Sequence, residues 1–212
     1  MDRTIDSILK IYYPFLAVIG VPVNLLAIVI LSRGKCGLST CTTRYLVAMA
    51  IMDLLLIITE IILWRIRYHY FPGSFLNITP VCSVNIVLLR AATDCSVWFT
   101  VTFTFDRFVA ICCQKLKSKY CTKKTAAVVL ATTCILLCSK NIPFYFRYEP
   151  GEIIDNFDDD SRYIIQQVGY MLHNLSCCTN TFIYVVTQSK FREQVKSAVK
   201  YPVTSIIQLM NK

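Results

Sequence analysis

Charge is scarce in this sequence: Asp, Glu, Lys and Arg make up 17% of its 212 residues, against 55% that are hydrophobic. With a mean hydropathy of +0.53, that balance is too apolar for an ordinary soluble domain wrapped in charged surface. Histidine occurs only twice and no C-x-x-C pair is present, so a zinc site lacks its usual ligands. No nucleophile and base stand at a readable spacing, which argues against an enzyme. A net charge of +9 does not by itself describe a nucleic-acid binder. The bases gather at the ends of apolar runs on one side and form no aromatic-interleaved basic face. No secretory leader is expected, because the first ten residues are polar and the first apolar run is long enough to stay in a membrane.

What the sequence has in abundance is long apolar runs. Crossing about 30 Å of hydrocarbon at about 1.5 Å per residue takes roughly 20 residues. Five stretches meet that length: 11–31, 45–64, 81–112, 126–146 and 163–186. The first two are almost free of charge and apolar on every face, unlike a buried helix of a soluble protein. The third and fourth carry Arg90, Asp94 and Lys140, and the fifth opens with polar residues. Polar groups at membrane depth require neighbours, so these helices should pack on one another in a lipid bilayer. The expected organisation is an all-α membrane bundle: an outer N-terminus over 1–10, spans across 11–186, and an inner helix and tail over 187–212.

Cytoplasmic segments of membrane proteins hold the excess of Lys and Arg. With the N-terminus outside, the inner segments hold fourteen: Arg33, Lys35, Arg44, Arg107, Lys115, Lys117, Lys119, Lys123, Lys124, Lys190, Arg192, Lys196, Lys200 and Lys212. The outer segments hold six, together with most of the acids. This predicts an N-out, C-in protein of the plasma membrane with an odd number of spans. Most of the eleven cysteines fall in spans or on the inner side, where thiols stay reduced, and Cys82 marks an outer helix end. Asn77 begins an Asn-Ile-Thr acceptor in the second outer segment and is the candidate glycosylation site.

In the third run, "FDRFVAICC" sets Asp106 beside Arg107. Counting from Cys82 to Arg107 gives a helix of about 37 Å, the depth of a bilayer with part of its interfaces. Arg107 therefore belongs at the inner water line, where Arg can snorkel and the neighbouring acid can hold it.

These residues resemble the rhodopsin-like G-protein-coupled receptors. Asp106-Arg107-Phe108 is similar to their Asp-Arg-Tyr motif, with Phe for Tyr. Asn24 follows Gly20-Val-Pro-Val, Asp53 sits in "YLVAMAIMDLLL", and Cys82 opens the third span. Pro143 lies near the outer end of the fourth, "NTFIY" runs from Asn180 to Tyr184, and "SKFREQVKSAVK" is similar to the family's inner amphipathic helix. "NIPFYFRYEPGEI" and the first span look most like the orphan receptors grouped with those that respond to aromatic amino acids. The resemblance implies seven spans, a heterotrimeric G protein and a ligand as partners, and association with other receptors. Only five spans are found. The fifth and sixth helices have no counterpart between the fourth span and "DDDSRYIIQQVGYML", nor has the outer-loop partner of Cys82, which leaves Cys82 a free or intermolecular thiol.

Several residues carry two readings each. Asp53 with Ser96, Asn24, Ser176 and Asn180 is, by resemblance, a sodium pocket; the plain alternative is a structural hydrogen-bond knot. Asp106, Arg107, Phe108 and Tyr184 are, by resemblance, the face that meets the G protein; the alternative for Arg107 is positive-inside anchoring. Arg90 and Asp94, one turn apart, either pair within their helix or serve a ligand, with Arg90 meeting a carboxylate and Glu60 an ammonium. That ligand would be an amino acid or peptide. Other functional classes considered are a receptor fragment that associates with full-length receptors, and a small transporter, for which no internal repeat is evident.

Overall fold

The computed structural model describes residues 3–34, 37–71, 79–147, 160–187 and 191–197, and every regular element among them is helical. Five long helices cover Arg3–Ser32, Thr40–Tyr70, Thr79–Cys112, Lys123–Asn141 and Asp160–Thr187. They are called the first to fourth and the last helix. Short helices cover Gln114–Tyr120, Phe144–Arg147 and residues 191–197.

Local chemistry sets several of these ends. Gly34, at φ +68°, follows the first helix, and its N–H donates to the Leu31 carbonyl at 3.1 Å, a left-handed stop that glycine tolerates best. Ser39 caps the second helix by accepting from the Thr42 N–H at 3.2 Å, and Thr122 caps the fourth through the Thr125 N–H at 3.1 Å. Within the first helix Pro14 has no N–H for the Lys10 carbonyl, and the Tyr70 hydroxyl donates to that oxygen at 2.8 Å instead. The first helix begins at Arg3 rather than at residue 11, so most of the segment expected as a plain outer terminus is helical.

The second helix changes pitch. Residues Ile57–Ile66 wind as a π-helix between α-helical turns, a rare form often found at functional sites. Thr59, Glu60 and Ile61 are buried in succession there. Three consecutive buried positions span about half of a helix circumference, so this stretch is covered on more than one side, while Ile58 stays exposed. The second helix indeed packs against the first, third, fourth and last helices.

Polarity runs inward. The first helix turns Ile11, Phe15 and Val18 outward and buries Leu9, Tyr13 and Leu16 on its other face. In the same way the third helix exposes Val97, Val101, Phe105 and Phe108, while Asn24, Asp53, Glu60 and Asn174 are buried. An apolar exterior over a polar interior is what a bilayer selects. Four helices are long and apolar enough to cross one: Thr4–Ser32, Thr40–Tyr70, Pro80–Cys112 and Lys123–Phe146. The expected fifth span, 163–186, is a helix of sufficient length but not of sufficient apolarity. Gln167 and Asn174 are spent on contacts inside the bundle, which lowers its hydropathy without exposing them.

The short helix over residues 191–197 is amphipathic as the sequence suggests. Phe191 is fully buried among Ala27, Ile30 and Leu31, Val195 packs beside it, and Glu193 and Lys196 face outward.

Gly20 of the first helix lies tight against the last and second helices, where a Cβ would stand 2.6 Å from Cys178 Sγ and 2.7 Å from Ile57 Cδ1. Such gaps are too small for a methyl group, so Gly20→Ala should destabilise the bundle by about 1–3 kcal/mol. Thermal unfolding of the variant in detergent checks this; an unchanged midpoint would mean the helices are not in this contact.

Candidate functional site

Asp53 sits on the buried face of the second helix at 1% exposure. Ser96 Oγ of the third helix donates to its Oδ1 at 2.8 Å, and Asn180 Nδ2 of the last helix donates to its Oδ2 at 2.7 Å. Asn24 lies at the seam of the first and last helices, donating to the Gly20 and Cys177 carbonyls at 3.0 and 2.9 Å. Ser176, expected in the same pocket, is not there. It is exposed and donates to the His173 carbonyl at 2.6 Å, on a flank of the last helix that no described helix covers. The oxygens of Asp53, Ser96 and Asn180 are the donor type that a hard monovalent cation accepts, so the residues present fit sodium in kind.

Glu60, in the π-helical stretch, anchors a second polar cluster. Its Oε1 accepts from Asn174 Nδ2 at 3.0 Å and from Arg65 Nη2 at 3.5 Å, and Arg65 Nη1 donates to Gln167 Oε1 at 3.2 Å. The guanidinium lies over the Tyr170 ring at 4.4 Å and near that of Tyr13 at 5.4 Å. Tyr13 Oη, Arg65 Nε and Asn174 Oδ1 are buried with no hydrogen-bond partner among the described residues. Unpaired buried polar atoms are costly, and three of them around one ion pair leave hydrogen-bonding capacity unused. Only Glu60 of this cluster stands out in the sequence. Arg65, Gln167 and Asn174 lie on two helices far apart in the chain, and only the fold joins them.

Arg90 and Asp94 do not form the intrahelical pair that their spacing suggests. Asp94 Oδ2 accepts from Lys140 Nζ at 3.0 Å and from Asn141 Nδ2 at 2.8 Å on the fourth helix, while the Arg90 guanidinium stacks 4.1 Å from the centre of the Phe144 ring. A cross-helix pair wins because it offers Asp94 two donors, one of them charged. These partners also compensate Asp94 on a face otherwise short of neighbours. Arg90, Asp94 and Glu60 thus engage three separate sets of partners.

At the C-terminal end of the third helix, Arg107 donates to Asp106 Oδ2 through Nε at 3.1 Å and also through Nη2. Cys41 Sγ donates to Asp106 Oδ1 at 3.2 Å, and Cys121 Sγ reaches the Asp106 carbonyl at 3.7 Å. Partial burial, and then the Asp106 carboxylate, push the Cys121 thiol above its usual range, which keeps its proton available to donate. Phe108 is exposed, and the Tyr184 side chain lies outside the described residues. So does Asn77, the glycan candidate. Cys82 is buried and accepts from Arg67 Nη1 at 3.6 Å.

Removing the Asp53 carboxylate leaves Ser96 and Asn180 without their acceptor. Asp53→Ala should cost about 2–5 kcal/mol for the two orphaned donors together, and Asp53→Asn, which keeps one acceptor, clearly less. Comparative unfolding of the two variants checks the order; equal losses would show that the carboxylate is not shared.

Residues 23–157 match the model of the family described as 7 transmembrane receptor (rhodopsin family). The match takes in Asn24, Asp53, Ser96 and the Asp106-Arg107 pair and ends before the last helix. It covers more than half of the chain, and so this protein belongs to the rhodopsin family of seven-transmembrane receptors.

Proposed function

We propose that the protein is a ligand-triggered receptor of the plasma membrane, N-terminus outside, acting on a heterotrimeric G protein through its inner face. The observation that carries this reading is the linkage of both polar clusters through one pair of helices. The last helix is tied to the second by Asn174 on Glu60 and by Asn180 on Asp53. A ligand that displaces the first contact changes the position from which the second is made. Below them, Asp106 holds Arg107 closed against the helix end.

The Glu60 cluster suits a small zwitterion such as an amino acid or the end of a peptide. Glu60 takes the ammonium, Arg65 the carboxylate, and the Tyr13 hydroxyl and Asn174 carbonyl oxygen supply the remaining bonds. Arg90 and Asp94 then hold the third helix to the fourth. Asp53, Ser96 and Asn180 would hold sodium, whose charge would neutralise the Asp53 carboxylate and so favour the closed arrangement.

A second reading is a partner that associates with full-length receptors, the fifth and sixth helices being missing. It is favoured by the fourth helix, which exposes Val128, Ile135 and Leu136, and by the exposed apolar stripe of the third. Nucleotide exchange on G protein, measured with the chain in nanodiscs and a panel of amino acids and short peptides, separates the two. The first predicts ligand-dependent exchange that Arg107→Ala lowers at least tenfold with unchanged surface delivery. Absence of exchange, together with co-purification with a full-length receptor, would support the second.

A further inference from the structure

The third and fourth helices bring together three thiols that take no part in the polar clusters. Cys95 comes from the third helix, and Cys134 and Cys138, one turn apart, come from the fourth. All three sulfurs lie within 4.8 Å of one another, and Cys134 and Cys138 are 4.0 Å apart. A metal in the plane of three sulfurs, with bonds of about 2.3 Å, holds those sulfurs about 4.0 Å apart. The cluster needs only small side-chain adjustments to reach that triangle.

The surroundings narrow the guest. Cys95 is buried in a cluster with Met49, Ala50 and Phe99, against which Cys134, Leu130 and Leu137 pack. No fourth His, Cys, Asp or Glu joins the group among the described residues. Tetrahedral zinc wants four ligands, and hard cations want oxygen. Cys134 is half-buried and Cys138 is exposed on the apolar flank of the fourth helix, and three soft sulfurs in such a setting suit cuprous copper.

We propose that Cys95, Cys134 and Cys138 form a three-sulfur site for Cu(I) between the third and fourth helices. Uptake of one Cu(I) converts the three thiols to thiolate ligands and expels their three protons to water, and the metal stays in its +1 state. The charge of the site falls by two, so copper retention should strengthen as pH rises. The bound ion clamps the two helices just below the Asp94–Lys140 contact. This site is independent of the receptor reading.

The test is anaerobic titration of the full chain, reduced and in nanodiscs, with Cu(I) against a colorimetric Cu(I) chelator. One copper per chain should be retained, lost in Cys134→Ser/Cys138→Ser and kept in Cys112→Ser/Cys113→Ser. Copper-edge X-ray absorption should show three sulfur neighbours at about 2.3 Å, falling to two in Cys138→Ala, with circular dichroism confirming intact helices. Equal retention by the Cys134/Cys138 variant, a nitrogen or oxygen shell, or no copper retained would overturn the proposal and leave an ordinary packing of thiols.

Discussion

One carboxylate organises this bundle. Asp53 stands on the helix that touches all the other long helices and accepts one hydrogen bond from the third and one from the last. A buried carboxylate is expensive to place and more expensive to leave unpaired. Each charge-assisted bond contributes about 1.5–3 kcal/mol, so the two donors fix where their helices stand far more strictly than apolar contact alone. Lipid tails are as apolar as leucine, and burial of methyl groups supplies little preference among arrangements in a membrane. Specificity falls to the polar contacts.

The same logic runs the length of the seam between the first and last helices. Tyr163 donates to Asp6 at 3.1 Å, Tyr12 to the Met171 carbonyl at 2.7 Å, and Asn24 to the Cys177 carbonyl. These bonds, with the close approach at Gly20, seat a helix whose own hydropathy is modest. The π-helical stretch of the second helix adds Glu60, which pairs with Arg65 as a second ionic centre of the bundle. A polar spine on the second helix is thus what permits a bundle with so little apolar burial on its fourth helix.

The extent to which this is legible in the sequence follows from the range of each interaction. Asp53 and Asp106-Arg107 stand out because an acid within an apolar run, or a charged pair at a counted depth, is informative alone. Helix positions follow from run length, and caps such as Ser39 and Thr122 add local detail. The Arg90–Asp94 pairing fails because helical spacing says only that two residues can meet, while Lys140 and Asn141 arrive from another helix. Ser176 fails for a related reason: standing one turn from Asn180 does not bring it to Asp53, and its hydroxyl bonds back to the His173 carbonyl instead. Neither the π-turn over Ile57–Ile66 nor the meeting of Cys95 with Cys134 and Cys138 leaves a local mark beyond a C-x-x-x-C spacing.

Asp53 and Asn180 hold the last helix to the second. A double-mutant cycle on Asp53→Ala and Asn180→Ala, read from unfolding free energies in mixed micelles, measures that bond directly. The account predicts a coupling of about 1 kcal/mol or more, whereas losses that add to within about 0.5 kcal/mol would mean the two residues do not interact, and the arrangement described here would be wrong.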